Sequence, residues 1–312
     1  HLLRTMHRAH TRQEALDALD MLEKAGFDRF TADLIYGNPG QTLAMLDADL
    51  DQMLAFSPPH LSAYALMIEQ GTRLGKQVEL GRVTVPDDEQ VATHFQRIQE
   101  RLGEAGYTQY EVSNFAQPGY EAIHNTNYWR HVEYLGFGPS AHSFLWPSSL
   151  GLSSPGQSSP DPSSLGPFSH RFSEHCSGGL SRVDTRVATT PAHPTGDTAP
   201  RSVAVRWQTI RDLTTYLSAE TPKERVESEE WLRLDELAEE RITLGLRMRE
   251  GVDVCLLEEQ YHYTFGERQR DWIALQSSVG TFEWNTSTNT LHLTQEGLSL
   301  ADHLTAKLLS LQ

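Results

Sequence analysis

Short apolar segments alternate with helical segments over the first 116 residues, and this order constrains the fold more strongly than any other feature of the sequence. The runs FDRFTADLIYG, HLSAYALMI and YTQYEVSNFA are short and apolar, which predicts strands. Helical spacing and helix start signals predict helices over 11–25, 42–56 and 86–105, one ahead of each run. This alternation indicates right-handed βαβ crossovers in a parallel sheet. We therefore expect an α/β domain up to residue 146 whose beginning is missing.

The first two predicted helices carry clear end signals. Thr11 is suited to cap the first helix, Glu14 follows three residues later as in a capping box, and Gly26 marks the end. Thr42 is suited to cap the second helix. These boundaries depend only on neighbouring residues, so the sequence predicts them directly.

The chain is strongly acidic. Its 312 residues include 26 Lys and Arg against 42 Asp and Glu, which gives a formal net charge of −16. Such a charge repels phosphate backbones, so we do not expect a nucleic-acid binder. The sequence contains neither a run of about 18 apolar residues nor a signal-peptide pattern, so we expect a soluble, cytoplasmic protein. Cys176 and Cys255 lie far apart and indicate neither a disulfide framework nor a CxxC metal site, which fits a reducing compartment.

Residues 147–200 separate two parts of different character. This stretch is rich in Ser, Pro and Gly, and we predict a disordered insertion. After it, RWQTIRDLTTYL and residues 228–249 are predicted to be helical, and FEWNTSTNTLHLTQEGLSLADHLTAKLL to form a hairpin and a helix. The predicted division is 1–146, 147–200 and 201–312, with a winged-helix-like last domain. This last domain is rich in Glu, and no basic recognition helix stands out in its sequence. We therefore expect it to serve packing or partner contact and not DNA binding.

Two of the predicted strands hold candidate ligand-binding positions. Asp33 is a carboxylate in an apolar strand that ends at Gly37, at the end of a strand where barrel active sites are built. A buried carboxylate must be paired, and a ribose diol would satisfy it. An Asp that caps a neighbouring loop is the alternative, which spacing alone favours. Ala63 and Ala65 would let a ligand approach the second strand closely, although pattern alone favours ordinary packing.

The run HNTNYW, residues 124–129, is the most informative segment. It combines an imidazole, two amides and two large aromatic rings, a mixture suited to a planar macrocycle with a central metal. A neutral histidine nitrogen can ligate heme iron, and Tyr128 and Trp129 offer flat surfaces. A structural His124 beside aromatic rings is the alternative, and taken without comparison it is the commoner case. His142, in the glycine-rich turn YLGFGPSAHS, is a second and weaker ligand candidate, and this turn lacks a P-loop lysine.

Taken in order, the runs DLIYGNPGQT, HLSAYALMIEQGT, AGYTQYEVSNFAQPGYEAIHNTNYWR and YLGFGPSAHSF closely resemble the later part of HemW-type heme chaperones. These are radical S-adenosylmethionine proteins related to the oxygen-independent coproporphyrinogen III oxidases. The resemblance covers residues 11–144 and resumes from RWQTIRDLTTYL to the C-terminus, with Asn38 where Leu is usual. It implies an α/β fold: the C-terminal part of a radical S-adenosylmethionine partial (β/α) barrel, followed by a small helical winged-helix-like domain.

The same resemblance implies site residues and cofactors. Asp33 and Ala65 correspond to positions that contact S-adenosylmethionine. The His-Asn-x-x-Tyr-Trp run is the family's proposed heme-binding element, with His124 as the candidate iron ligand, and its positions here are His124, Asn125, Tyr128 and Trp129. The three-cysteine motif that holds a [4Fe–4S] cluster in the family is absent from this sequence. We therefore expect an N-terminally truncated copy, with the cluster and S-adenosylmethionine belonging to a full-length form.

The function that the resemblance implies is a heme chaperone, which binds heme and transfers it to apo-hemoproteins of the respiratory chain without net catalysis. The alternative is an enzyme, an oxygen-independent coproporphyrinogen III dehydrogenase of porphyrin biosynthesis. A third hypothesis is an interaction-only product of an incomplete gene. Contact with a peripheral membrane protein and pairing with a second copy of the chain both stay open as further partner hypotheses.

Overall fold

A parallel strand pair with a helical crossover is the centre of the α/β part. The computed structural model describes residues 2–6, 8–146 and 202–312. The first elements along the chain are α1 (Leu2–Thr5), α2 (Arg12–Lys24), β1 (Thr31–Tyr36), α3 (Leu43–Ala55) and β2 (His60–Ala65). Strands β1 and β2 are parallel and α3 connects them, as the sequence predicts. Thr11 forms a capping box with Glu14, and the Thr42 side chain caps α3.

The third predicted strand is where the structure departs from an all-parallel sheet. The next elements are α4 (Arg73–Glu79), α5 (Asp88–Glu104), β3 (Thr108–Gln109), β4 (Asn114–Ala116) and α6 (Ile123–Trp129). The run YTQYEVSNFA is therefore not one strand: it folds into the β3–β4 hairpin, and β4 is antiparallel to β2 in a sheet of order β1-β2-β4-β3. The backbone of Glu111 pairs with Met248 instead of continuing β3, which explains the break.

Contacts divide the chain into two compact units, residues 1–131 with 239–312 and residues 132–238. The predicted insertion at 147–200 lies outside the described residues, which stop at residue 146 and resume at residue 202. The predicted division into 1–146, 147–200 and 201–312 stays a prediction.

The smaller unit contains an antiparallel sheet. Its described elements are β5 (His142–Leu145), β6 (Ser202–Thr209), α7 (Leu213–Ser218) and β7 (Val226–Arg233), followed by α8 (Leu234–Gly245), which ends in the larger unit. The strand order is β5-β6-β7. The prediction that RWQTIRDLTTYL and residues 228–249 are wholly helical is wrong, because β6 and β7 occupy their first residues. Strand β6 is hydrogen-bonded on both edges, and this pairing outweighs the local helical pattern.

The C-terminal part of the larger unit follows the prediction of a hairpin and a helix. Its elements are β8 (Val252–Asp253), α9 (Val254–Tyr261), α10 (Glu267–Ser278), β9 (Phe282–Asn285), β10 (Thr290–Leu293), α11 (Gln295–Leu298) and α12 (Ala301–Leu309). Strands β9 and β10 form the hairpin, and β8 joins its open side in the order β8-β10-β9. Two helices before a hairpin on a small sheet agree with the predicted winged-helix-like fold. In the part of the chain that the structure describes, no helix combines the length and hydrophobicity needed to cross a bilayer.

The core of the α/β part lies between the sheet and helices α3 and α5. Alternate residues of β1 and β2 face these helices, and Tyr36 stacks on Phe95 with ring centroids 5.7 Å apart. The buried members are Leu34, Tyr36, Leu46, Leu50, Leu61, Ala63, Phe95, Ile98, Leu102, Tyr107 and Phe115. On the outer side, the Asp47 carboxylate joins the two helices by accepting hydrogen bonds from Arg97 and Arg101, at 2.8 and 3.1 Å.

We predict that Leu46→Ala lowers the free energy of unfolding by about 2–5 kcal/mol, because Leu46 is fully buried and its loss leaves a cavity. The matched control is Leu43→Ala in the same helix, where the side chain is 41% exposed and a smaller loss is expected. Urea denaturation followed by circular dichroism measures both. Equal losses in the two variants would contradict the assignment of this core.

Candidate functional site

Helix α6 carries four of the predicted site residues and distributes them over two sides. His124 is exposed, and its ring meets the Tyr128 ring edge-on with centroids 4.8 Å apart. Trp129 lies on the inner side, packed against the buried cluster of Tyr110, Ala116 and Met248. Asn125 lies between these extremes, partly buried. The structure thus presents the imidazole outward and uses the tryptophan to attach the helix.

Trp129 is held by a cation as well as by apolar contacts. The Arg247 guanidinium lies over the Trp129 ring, 5.0 Å from its centroid. Glu111 is fully buried, and burial raises the pKa of its carboxyl group. The positive charge of the nearby Arg247 opposes this rise. One Glu111 oxygen accepts a hydrogen bond from the Ser113 N–H at 2.8 Å. Arg247, which is far from α6 in sequence, therefore holds the inner side of the helix through Trp129.

Both ends of α6 are held by side chains from distant parts of the larger unit. At its start, the Ala122 N–H donates a hydrogen bond to the Tyr110 hydroxyl at 3.3 Å. At its end, Arg241 donates from Nη1 to the Trp129 carbonyl at 3.0 Å. Arg241 is buried, and burial lowers the pKa of its guanidinium. A cation at this end also complements the helix dipole, so Arg241 favours this position of α6.

The residue after α6 adds an ion pair. Arg130 donates two hydrogen bonds to the Glu250 carboxylate, both at 2.7 Å. The hydrogen bonds from Arg130 lower the pKa of Glu250. This planar, two-point contact ties the C-terminal end of α6 to the loop before β8.

A chain of hydrogen bonds leads from β1 through β2 to the start of α6. His60 Nδ1 lies 2.8 Å from the Thr31 hydroxyl, and its Nε2 lies 2.8 Å from the Tyr110 hydroxyl. Burial lowers the pKa of His60 and raises the pKa of Tyr110 to about 12, so both groups are neutral at pH 7. Because the Tyr110 hydroxyl accepts from Ala122, the consistent arrangement has Tyr110 donating to Nε2 and Nδ1–H donating to Thr31.

The two predicted S-adenosylmethionine positions lie on opposite faces of the sheet. Asp33 is paired in register with Ser62 and shares the face of Thr31 and His60. Its carboxylate is exposed, so the expectation of a buried carboxylate is wrong. The Ala65 side chain packs against the apolar core on the other face. A ligand on the polar face can therefore reach the Asp33 carboxylate, but can meet Ala65 only through its backbone.

The residues of this chain do not fit an iron–sulfur cluster. The sequence contains two cysteines, and Cys176 lies outside the described residues. Cys255 is exposed and accepts a hydrogen bond from the Asn289 side chain at 3.2 Å. Among residues 2–6, 8–146 and 202–312, no three His, Cys, Asp or Glu side chains are grouped as metal ligands. His142 is exposed at the start of β5 in the smaller unit.

The residues do fit a heme held at the surface. The exposed His124 imidazole has a nitrogen available to iron, and the Tyr128 ring stands beside it. A cavity of about 490 Å³, here called the α6 cavity, opens on a neighbouring side of the helix, with Ile123, Thr126 and Asn127 in its wall. His124 and Tyr128 do not line this cavity. The geometry therefore suits a ligand bound at an open surface.

Sequence reasoning missed His60, Tyr110 and Arg241, although each left a signal. His60 begins an apolar run, and Tyr110 lies within YTQYEVSNFA, where it was assigned only to a strand. Arg241 falls on the apolar stripe of α8, three and four residues after the buried Ala238 and Leu237. A cation at such a position predicts a buried polar contact, but the sequence does not identify the carbonyl that it binds.

We predict that the His60→Gln variant loses less stability than the parent between about pH 6.5 and 5. In the parent, the folded-state pKa of His60 lies below its ordinary value of 6.5, so stability is complete above that pH and falls as the unfolded state takes up a proton. Urea denaturation at several pH values measures the slope. Burial lowers the pKa of His94 in the same direction, so part of the slope will remain. An unchanged slope would show that His60 binds protons equally in both states.

Comparison with known proteins identifies relatives over part of the chain. The heme chaperone HemW of Lactococcus lactis is 38% identical over 144 residues, which is 46% of this chain and 38% of that protein. HemW of Escherichia coli is 40% identical over 140 residues, 45% of this chain and 36% of that protein. The mitochondrial radical S-adenosyl methionine domain-containing protein 1 of Danio rerio is 38% identical over 149 residues, which is 48% of this chain and 34% of that protein. The chain thus spans well under half the length of these relatives.

A solved structure shares the fold over a longer stretch. Coproporphyrinogen III oxidase (HemN) from Escherichia coli, described as a radical SAM enzyme, matches with a TM-score of 0.63 at 15% identity, covering 98% of this chain and 61% of that one. No family model matches the sequence. The predicted α/β fold class is confirmed by this likeness, and the similar sequences agree with the motifs quoted above. Over 140 to 149 residues, the chain is therefore similar to HemW heme chaperones and to a radical S-adenosyl methionine domain-containing protein.

Proposed function

We propose that this chain holds heme for transfer to apo-hemoproteins, as the heme-carrying part of a HemW-like chaperone. The observation that carries the proposal is the exposed His124 on a short helix whose ends and inner side are fixed by Tyr110, Arg241 and Trp129. The relatives in Lactococcus lactis, Escherichia coli and Mycobacterium tuberculosis are named heme chaperones, which supports the same function.

The chemistry required of a carrier is reversible ligation. A neutral imidazole nitrogen of His124 can bind the iron of a heme that arrives from solvent. Tyr128 stands against the imidazole ring and restricts its rotation. Because His124 lies on an open surface, a recipient protein can approach the bound heme without the carrier unfolding. Trp129 supports the ligand by attaching the helix to the buried cluster, and neither it nor Asn125 is proposed to touch iron.

Asp33 and Ala65 are the two positions proposed to contact S-adenosylmethionine. On the polar sheet face, the exposed Asp33 carboxylate can accept hydrogen bonds from a ribose diol, and the Ala65 backbone lies at the end of the neighbouring strand. These 312 residues do not supply ligands for a cluster, so no radical step is assigned to them.

The alternative function is an oxygen-independent coproporphyrinogen III dehydrogenase. It is supported by the structural likeness to HemN, which concerns the fold alone at 15% identity. The sequence relatives favour the heme chaperone, because several of them carry that name at 33–40% identity. We propose the cytoplasm as the location and respiratory-chain apo-hemoproteins as the recipients.

We predict that His124→Ala raises the dissociation constant for heme by about tenfold or more, since even groups one step removed from a metal contribute 10–100-fold. The measurement is titration of the purified chain with iron protoporphyrin IX, followed by the Soret absorbance. The matched control is His303→Ala, another exposed histidine on a helix, which should bind as the parent does. A parental Soret spectrum and affinity in His124→Ala would rule out His124 as the iron ligand.

We predict that anaerobic reconstitution of this chain with iron and sulfide gives no [4Fe–4S] absorbance or paramagnetic signal on reduction. The reason is the number of thiolates, because cluster ligation in this family uses three closely spaced cysteines and this chain has two distant ones. Iron and sulfide analysis after desalting provides the quantity bound. Stoichiometric incorporation of four irons would contradict this conclusion.

A further inference from the structure

The α6 cavity combines an apolar base with a polar rim. Tyr110 and Met248 line it and are both buried, at 8% and 4% exposure. Thr108, Asn127 and Arg249 add hydroxyl, amide and guanidinium groups. Such a mixture suits a ligand that is largely apolar and carries a polar or charged edge.

Arg249 is the cation that this cavity has available. Its side chain is exposed and makes neither a hydrogen bond nor an ion pair within the described part of the chain, although its backbone N–H donates to the Tyr110 carbonyl at 2.9 Å. The other cation, Arg130, is already engaged by Glu250. Glu121 also lines the cavity, so attraction of a carboxylate ligand depends on Arg249.

Helix geometry relates this cavity to His124. Successive residues of a helix are about 100° apart around its axis, so His124 points about that far around from Ile123, which lines the cavity. The Ile123 side chain is 72% exposed. A flat ligand whose central metal is bound by His124 would therefore have Ile123 beside it, on the side of the helix that leads to the cavity.

We propose that the α6 cavity receives the propionate-bearing edge of the heme, with the Arg249 guanidinium paired to a propionate and Ile123 in contact with the ring. This inference rests on the proposed function and adds a carboxylate site to it. Arg249 then selects tetrapyrroles that carry free carboxylates, and it orients the heme relative to His124.

The test compares iron protoporphyrin IX with its dimethyl ester, which has no free carboxylates. Both are titrated into the parent chain, Arg249→Gln, His124→Ala and the control Arg268→Gln, which removes the same charge from an exposed position on α10 away from the cavity. We expect the parent and Arg268→Gln to bind the free acid about tenfold more tightly than the ester, as for one charge-assisted contact. In Arg249→Gln this preference should disappear, through weaker binding of the free acid alone.

The possible results distinguish failure of the carboxylate site from failure of the proposed heme-carrying function. If the parent binds both porphyrins equally, or if Arg249→Gln weakens both to the same extent, the carboxylate site is wrong while His124-dependent binding can still stand. If neither porphyrin gives a His124-dependent Soret change, the proposed function fails and the carboxylate site fails with it. Circular dichroism of each variant checks that the fold is retained.

Discussion

The two-residue alternation of β1 and β2 is the constraint on which the α/β part depends. Side chains on one face of this strand pair are apolar and meet α3 and α5, forming the core. The other face carries the polar side chains Asp33, His60 and Ser62, together with Ile35 and Tyr64. Because neighbouring residues of a strand point to opposite faces, a single pairing register produces both surfaces. A shift by one residue would bury Asp33 and expose Leu34.

The polar face connects to the candidate site through buried and partly buried hydrogen bonds. Thr31, His60 and Tyr110 form a chain that ends at the backbone of Ala122, the residue before α6. Arg241 holds the other end of the helix. A helix of seven residues is too short to be stable by itself, so these tertiary contacts maintain it. The anchoring leaves His124 on the outer side of the helix, exposed to solvent.

Likeness in sequence and likeness in fold cover different amounts of the chain. The sequence relatives match 45–48% of it, whereas the HemN structure matches 98% with a TM-score of 0.63. Packing requirements keep a fold recognisable when only scattered identities remain. The motifs that define the HemW-type likeness are concentrated around the sheet and α6, where polar groups must meet specific partners. The proposed heme-carrying role therefore concerns a small set of positions within a widely shared architecture.

The sequence by itself determined the first capped helices of this protein and its likeness to HemW-type chaperones. The caps at Thr11 and Thr42 follow from neighbouring residues, and the His-Asn-x-x-Tyr-Trp run identified the candidate site residues. Only the tertiary structure decided the β3–β4 hairpin, the strands at 202–209 and 226–233, and the exposure of Asp33. It also decided which side of α6 faces solvent, because Trp129 packs against Met248 and lies under the Arg247 guanidinium on the inner side. The physical reason is the same throughout: caps use neighbours along the chain, whereas strand pairing and burial depend on partners that only folding brings close.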